Sequence, residues 1–260
     1  MKDTGIKKAS DLENFGHKEY IEVDSCGWHL KPDAPPTVKK EFEEYMNYIN
    51  QGKKEIYFGQ KYDSKKRFIS YWHQINEVRK LDTKSILVIG VGNKFLSNYL
   101  LKRNYKVTTL DHNITLEPDL MASVLGIPLT NNAFATVACY EVLEHMPFEQ
   151  FKTSLREINR VCEKYALISL PDKSELLSVY FNVPILGEIK KSLNIILPNF
   201  LKSEATDPDY VRGHYWSIGK KGYSLKKVKN EIKKSGFKIK RTFRPFFVFR
   251  HRFFILEKVG

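Results

Sequence analysis

Short apolar segments alternate with segments of helical spacing between residues 85 and 171, and this alternation restricts the fold more than any other feature. Four segments are rich in β-branched and apolar residues, as strands buried on both faces are: 85–90, 106–111, 134–141 and 165–171. Helical spacing predicts a helix over 94–103 and another from Phe151 to Val161. Such a βαβαβ series predicts an α/β fold with a doubly wound, mostly parallel sheet.

The N-terminal part, residues 1–63, is predicted to be an arm with a helix. Residues 1–35 show no sustained period and are expected to be irregular, and apolar spacing then predicts a helix over 37–50. A second helix, over 64–80, should open the core with Asp63 or Ser64 as its N-cap. The stripe expected to face the core is Phe68, Tyr71, Trp72, Ile75 and Val78.

We assign the core to residues 64–171. The chain after the core divides into an insertion and a closing unit. Residues 172–222 are long and mixed, which is typical of a substrate-side insertion or lid, and 181–201 is expected to hold a lid helix, an interfacial segment or ordinary core packing. Residues 223–260 predict a helix that ends at Gly236 as the C′ glycine. Two strands that should form an antiparallel pair at the sheet edge follow it, over 237–243 and 252–259.

Composition excludes several classes of protein. Hydrophobic residues make up 42% of the 260 residues, which is enough for a large core, and no apolar run reaches the roughly 18 residues that span a bilayer. The N-terminus has no apolar stretch typical of a secretory signal. Cys26, Cys139 and Cys162 are odd in number and scattered, so we expect buried thiols, no metal site and a cytoplasmic location.

Positive charge is concentrated near the C-terminus. The formal net charge is +13, and residues 219–260 alone hold 14 Lys and Arg against two acidic residues. A basic surface attracts nucleic acid, an anionic membrane or an acidic substrate, and peripheral membrane contact is therefore one reading. The alternative is a solvated helix face that keeps the protein soluble.

A glycine turn follows the first core strand in "SILVIGVGNKF". Asp111 ends the next strand, 21 positions after Gly90, which is the spacing at which a carboxylate reaches the hydroxyls of a ribose. The turn is not a Walker loop, and Asn93, Lys94 and Phe95 stand where a dinucleotide turn needs small residues. The pattern therefore predicts an adenosine cofactor other than a dinucleotide.

Five stretches in order carry a resemblance: "LVIGVGNKF", "VTTLD", "VLGIPLTNNAF", "VACYEVLEHMPFEQF" and "LISLP". Together they resemble the class I S-adenosylmethionine-dependent methyltransferases, in particular the subgroup with a "vLEH" motif after the fourth strand. The resemblance covers 64–171 well and 223–259 loosely. It implies a seven-stranded Rossmann-like sheet with an antiparallel last strand. It also implies S-adenosylmethionine as cofactor, with S-adenosylhomocysteine as product.

The resemblance also implies roles for individual residues. The backbone at Gly90, Gly92 and Asn93 would surround the methionine and ribose, and Asp111 would bind the ribose hydroxyls. His112, Ser123 and Val124 would lie around the adenine. Tyr140 and Glu141 would border the methionine end of the cofactor.

Four residues depart from the family pattern: Val88, Ser123 and Ala135 replace acids, and Lys94 replaces a glycine. A lysine at a helix N-terminus opposes the helix dipole at a cost of about 0.3–1 kcal/mol. We hypothesise that the Lys94 ammonium binds the carboxylate of the methionine moiety, which would offset this cost.

The motif "EVLEH" and the stretch "GHYW" supply candidates for contact with the methyl acceptor. His145 is a candidate general base or substrate contact, or else a structural residue that caps the next helix, and Glu144 is expected to face solvent or a salt bridge. His214, Tyr215 and Trp216 either line a substrate pocket or anchor their loop. The favoured acceptor is a small molecule, lipid or glycan. The alternatives are an RNA methyltransferase that uses the basic segment and a degenerate, non-catalytic domain.

Overall fold

The strands and helices of the computed structural model follow the predicted alternation. It describes residues 17–24, 27–41, 57–59, 62–174, 177–183, 187–193 and 213–259. The strands are β1 (Ile21–Asp24), β2 (Gly27–Leu30), β3 (Ser85–Ile89), β4 (Lys106–Asp111), β5 (Leu120–Met121), β6 (Phe134–Tyr140), β7 (Cys162–Pro171), β8 (Leu177–Val183), β9 (Gly187–Leu193), β10 (Phe237–Phe243) and β11 (His251–Lys258). The α-helices with both ends described are α1 (Lys65–Arg79), α2 (Phe95–Leu101), α3 (Phe148–Val161) and α4 (Leu225–Lys234).

Seven strands form one sheet in the order β10-β11-β7-β6-β3-β4-β5. Strand β11 runs antiparallel to both of its neighbours, whereas the pairs among β7, β6, β3, β4 and β5 are parallel. The predicted α/β class, the doubly wound Rossmann-like sheet and its antiparallel last strand are therefore confirmed. The C-terminal ends of β3, β4 and β6 lie at the same edge of the sheet.

Helices cover both faces of this sheet. Because side chains alternate along a strand, Leu87 and Ile89 point into one core layer and Ile86 and Val88 into the other. The first layer contains buried residues of α3 and α4, and the second contains those of α1 and α2. Cys139 and Cys162 are buried free thiols, as predicted, whereas Cys26 lies outside the described residues.

Helix α1 begins at the predicted N-cap, because the Ser64 hydroxyl accepts a hydrogen bond from the Arg67 backbone N–H. The predicted apolar stripe is wrong in part, since Phe68 and Trp72 are 47% and 59% exposed. Polar residues are buried instead, and their partners come from the last two strands. Ser70 hydrogen-bonds to His251, and Glu77 forms an ion pair with Arg241.

Two further expectations are corrected. Residues 21–30 contain the hairpin β1–β2 rather than irregular chain. A second hairpin, β8–β9, covers residues 181–183 and 187–193 of the stretch in which a lid helix was one reading, because Pro184 and Gly187 disfavour a helix there, and residues 194–201 lie outside the described residues. Of the predicted helix over 37–50, residues 36–41 are helical and the rest lies outside the described residues.

The two ends of the predicted insertion meet at the end of β7. Asp172 forms a β-bridge with Ile218, the Lys173 N–H donates to the Ile218 carbonyl (2.7 Å) and the Ile218 N–H donates to the Pro171 carbonyl (2.9 Å). Asp172 is also buried against two cations, Arg244 and Arg252. Residues 213–222 are thereby held against the sheet.

Among the helices of the described ranges, none combines the length and the hydropathy that crossing a bilayer requires.

Candidate functional site

The glycine turn and Asp111 come together at the C-terminal edge of the sheet. Gly90 and Gly92 adopt positive φ angles of 84° and 52°. The Asp111 side chain is 9% exposed, and its Oδ2 and Oδ1 accept hydrogen bonds from the backbone N–H groups of Val91 and Asn113, both at 2.9 Å. These bonds fix the carboxylate beside the turn, and each oxygen retains a lone pair for a further donor.

The Asn93 side chain is already engaged by its surroundings. Its Oδ1 accepts from the Tyr71 hydroxyl (2.9 Å) and the Phe95 N–H (3.2 Å), and its Nδ2 donates to Asp63 (3.0 Å). Any contact of Asn93 with a cofactor is therefore expected to run through its backbone. Its amide instead links the turn to α1.

Lys94 is the N-cap of α2 and adopts a left-handed conformation with φ 62°. Its Nζ lies 3.2 Å from Glu117 Oε2, and the two side chains are 28% and 72% exposed. The ammonium thus has a protein carboxylate as partner. A cofactor carboxylate would have to compete with it.

The residues expected around an adenine lie beside the end of β4. His112 is 69% exposed, and its Nδ1 is 3.5 Å from Asp111 Oδ1. Ser123 accepts a hydrogen bond from the Leu125 N–H at its hydroxyl (3.2 Å) and forms a tight turn, while Val124 is buried in the core. Ser123 therefore shapes the backbone here.

Tyr140 and Glu141 end β6 at the same edge. The Tyr140 hydroxyl is buried and has no hydrogen-bond partner among the described residues, and burial raises its pKa well above the usual value. Glu141 has a positive φ of 54°, and its Oε1 accepts from the Ser169 hydroxyl (2.8 Å). Its Oε2 lies 3.6 Å from His251 Nε2. The edge beside the glycine turn thus carries fixed polar groups.

His145 does not cap the following helix, because α3 begins after Pro147 without a side-chain cap. Its ring is exposed, and its Nδ1 lies 3.0 Å from the Gly213 carbonyl oxygen. A carbonyl oxygen only accepts, so we assign the proton to Nδ1 and a lone pair to Nε2. The structural role as a helix cap is excluded, and the ring instead links the segment after β6 to the loop at residue 213.

Glu144 is completely buried, which corrects the expectation that it faces solvent, and its Oε1 lies 3.9 Å from His214 Nε2, within ion-pair distance when that imidazole is protonated. Burial and the neighbouring Glu141 carboxyl raise the pKa of Glu144 well above its usual value. The His214 ring stands against His145, with 4.8 Å between their centroids, and Trp216 is buried in the core and anchors the loop. The structure thus brings His214 to the adjacent residues Glu144 and His145, although His214 lies 69 positions after His145.

Sequence reasoning missed two tyrosines that cover the glycine turn. A methyl group placed on Gly92 would lie 3.5 Å from the Tyr62 hydroxyl oxygen and 3.9 Å from Tyr57 Cδ1. The two rings meet edge to face with centroids 5.2 Å apart. Burial and the nearby Tyr62 and Asp111 raise the pKa of Tyr57 to about 12. The only signal in the sequence was a cluster of aromatic residues before α1.

Some cationic side chains of the basic segment 219–260 are exposed to solvent, and others form hydrogen bonds within the protein. Helix α4 buries Val228 and Ile232 and exposes four of its lysines: Lys226, Lys227, Lys233 and Lys234. The Lys258 ammonium instead donates to the carbonyls of Asn159 and Cys162 and to Asn132. The amphipathic pattern of α4 fits the solvated-face reading.

No protein family model matches the chain, and no curated protein matches its sequence. Solved structures do match its fold. One is the 1,6-didemethyltoxoflavin-N1-methyltransferase of Burkholderia thailandensis with bound 1,6-didemethyltoxoflavin and S-adenosylhomocysteine. It is 10% identical over 92% of this chain and 98% of that one, with a TM-score of 0.51. Another is the N-methyltransferase NodS of Bradyrhizobium japonicum WM9 in complex with S-adenosylhomocysteine, at 10% identity over 76% and 90% of the two chains and a TM-score of 0.50. The chain shares the fold of these two proteins.

Proposed function

We propose that the protein is an enzyme that transfers a methyl group from S-adenosylmethionine to a small-molecule, lipid or glycan acceptor. The observation that carries the proposal is the buried Asp111 carboxylate, fixed by the Val91 N–H beside a glycine turn at the C-terminal edge of the sheet. Ligands of open α/β sheets bind at that edge. The "vLEH" subgroup and a cytoplasmic location, which the two buried free thiols suit, belong to the same proposal.

In this proposal, different residues at this edge of the sheet contact different parts of the cofactor. Asp111 accepts hydrogen bonds from the two ribose hydroxyls, and His112, Ser123 and Val124 surround the adenine. The backbone at Gly90, Gly92 and Asn93 passes close to the methionine moiety, and Tyr140 and Glu141 border its end. S-adenosylmethionine supplies an activated methyl group on a sulfonium leaving group. The protein mainly aligns and desolvates the two partners, which is worth up to roughly 7–11 kcal/mol.

Asp111→Ala is expected to weaken binding of S-adenosylhomocysteine about 10- to 100-fold, because hydrogen bonds to a charged group contribute about 1.5–3 kcal/mol. The measurement is isothermal titration calorimetry. Asp82→Ala removes an exposed carboxylate just before β3, at the other end of that strand, and is expected to leave the affinity unchanged. An affinity of the unaltered protein weaker than millimolar, together with no loss in Asp111→Ala, would contradict the proposal and favour the degenerate domain.

The two members of the Lys94–Glu117 pair are expected to shift cofactor affinity in opposite directions. Lys94→Ala should weaken S-adenosylhomocysteine binding up to about fivefold, since a partly exposed ion pair contributes up to about 1 kcal/mol. Glu117→Gln frees the ammonium for the methionine carboxylate and should tighten binding. Both are measured by the same titration. Unchanged or tighter binding in Lys94→Ala would show that Lys94 does not hold the cofactor.

The RNA alternative makes a separate prediction. RNA binding through the exposed lysines of α4 would fall steeply with salt, because each phosphate contact releases counterions. A filter-binding series over ionic strength separates this case from a small acceptor.

A further inference from the structure

Glu144, His145 and His214 place three potential metal ligands together at the C-terminal end of β6. Each offers one ligand atom, and these atoms all lie within 4.8 Å of one another. Two hydrogen bonds fix the segments that carry them, since the Tyr215 N–H donates to the Glu144 carbonyl (2.8 Å) and the His145 ring contacts the Gly213 carbonyl through Nδ1 (3.0 Å). Hydrogen bonds between the two segments therefore hold the three side chains close together.

The Glu144 carboxyl group is completely buried, and its polar neighbours are the Glu141 carboxyl and the His214 ring. Its side chain is 0% exposed, and neither oxygen has a hydrogen-bond partner among the described residues. The contact nearest to an ion pair is with His214 Nε2, 3.9 Å from Oε1. A buried carboxylate without a partner costs several kcal/mol, and buried charges are usually paired or bound to metal.

The orientation of His145 also suits a ligand. With Nδ1 donating to the Gly213 carbonyl, Nε2 is the ring atom that carries the lone pair with which a neutral imidazole binds a metal ion. Metal-binding histidines commonly donate their other N–H to a backbone carbonyl or carboxylate in this way. Glu141, whose carboxylate is held by Ser169, adds negative charge beside the cluster.

We propose that Glu144, His145 and His214 bind a divalent cation. Two imidazoles and one carboxylate suit Zn²⁺, Co²⁺ or Fe²⁺ better than Mg²⁺, which prefers oxygen ligands. In a tetrahedral site, ligand atoms at about 2.0–2.2 Å from the ion stand roughly 3.3–3.6 Å apart, so the side chains would close by up to about 1.5 Å when the ion binds. Such a set also leaves a coordination position for water or substrate.

The role of the ion, unlike its binding, rests on the proposed function. The cluster lies at the same sheet edge as the glycine turn, so the free position would bind an acceptor hydroxyl and lower its pKa. The hydroxyl proton passes to water, and the oxygen forms the new bond to the methyl carbon as the carbon–sulfur bond breaks, which leaves a neutral thioether. His145 is then a ligand and not a general base.

The test is a titration of chelator-treated, full-length protein with Co²⁺, followed by its visible absorption, and with Zn²⁺ by calorimetry. We expect one ion per chain, with an affinity that Glu144→Gln and His214→Ala lower at least tenfold. Glu149→Gln removes an exposed carboxylate of α3 and should bind as the unaltered protein does. His145→Ala changes an exposed side chain, so it keeps the test valid if the other variants fail to fold.

Two results would overturn the proposal. One is no Co²⁺ binding by the unaltered protein at millimolar concentrations, and the other is unaltered affinity in Glu144→Gln and His145→Ala. The second would mean that Glu144 is simply a protonated buried acid. Titration of the same samples with S-adenosylhomocysteine keeps the proposals apart, since ion binding without cofactor binding would contradict only the methyltransferase function.

Discussion

Gly90→Ala is expected to lower the free energy of unfolding by about 2–5 kcal/mol. Gly90 has a φ of 84°, and a left-handed conformation costs an L-residue about 1–2 kcal/mol. The added Cβ would also stand 2.3 Å from Val142 Cγ2, and overpacking typically costs a further 1–3 kcal/mol. Urea denaturation followed by circular dichroism measures the change.

The matched control is Gly126→Ala, because a Cβ at that position has no atom of the described residues within 4 Å other than those of its chain neighbours. Its effect on stability should be below about 1 kcal/mol. Equal stabilities of the two variants would contradict the close approach of Val142 to the glycine turn. Since Val142 precedes the Leu143–His145 segment, Gly90→Ala is also expected to weaken binding of both S-adenosylhomocysteine and Co²⁺.

Asp172→Asn is expected to destabilise the protein by about 3–5 kcal/mol. The Asp172 carboxylate is completely buried between the side chains of Arg252 and Arg244, which are 9% and 5% exposed. Removing one charge of a buried ionic group leaves the other charges uncompensated, and that is the costly case. Asp172 also accepts from the Ser174 N–H (2.8 Å), so the end of β7 should loosen. Thermal and urea unfolding measure the loss.

Glu257→Gln is the corresponding surface control. Glu257 pairs with Lys240 at 3.2 Å, but the two side chains are 30% and 47% exposed. Such a pair contributes about 0–1 kcal/mol. If Asp172→Asn cost no more than Glu257→Gln, the buried ionic group would not be holding the end of β7.

The alternation of strand and helix was predictable because its signals are local. Strands β4 and β10 match the predicted limits, since a short apolar or β-branched run needs no distant partner to be recognised. The buried face of α1 could not be predicted from the helical spacing of its apolar residues. Glu77 is buried because Arg241 reaches it from a strand 164 positions later, and the sequence of α1 carries no trace of that partner.

In the candidate site, too, some residues could be predicted from the sequence and others could not. Asp111 follows from its spacing to Gly90, because the two consecutive strands that carry them are paired. The burial of Glu144 could not be foreseen, since it depends on the loop that returns at Gly213 and brings His214 to "EVLEH". The partner of Lys94 was missed because Glu117 lies in an irregular connection whose path no period describes.

The meeting of the insertion's two ends has a consequence for how this chain can diversify. Asp172, Lys173 and Ile218 close the junction through hydrogen bonds of their own, and Trp216 packs in the core just before it. Doubling the length of a flexible loop costs only about 0.6 kcal/mol once its ends are joined. Chimaeras that exchange the residues between Ser174 and Gly213 for those of other proteins of this fold are therefore expected to keep the seven-stranded sheet folded, which circular dichroism and urea unfolding would measure.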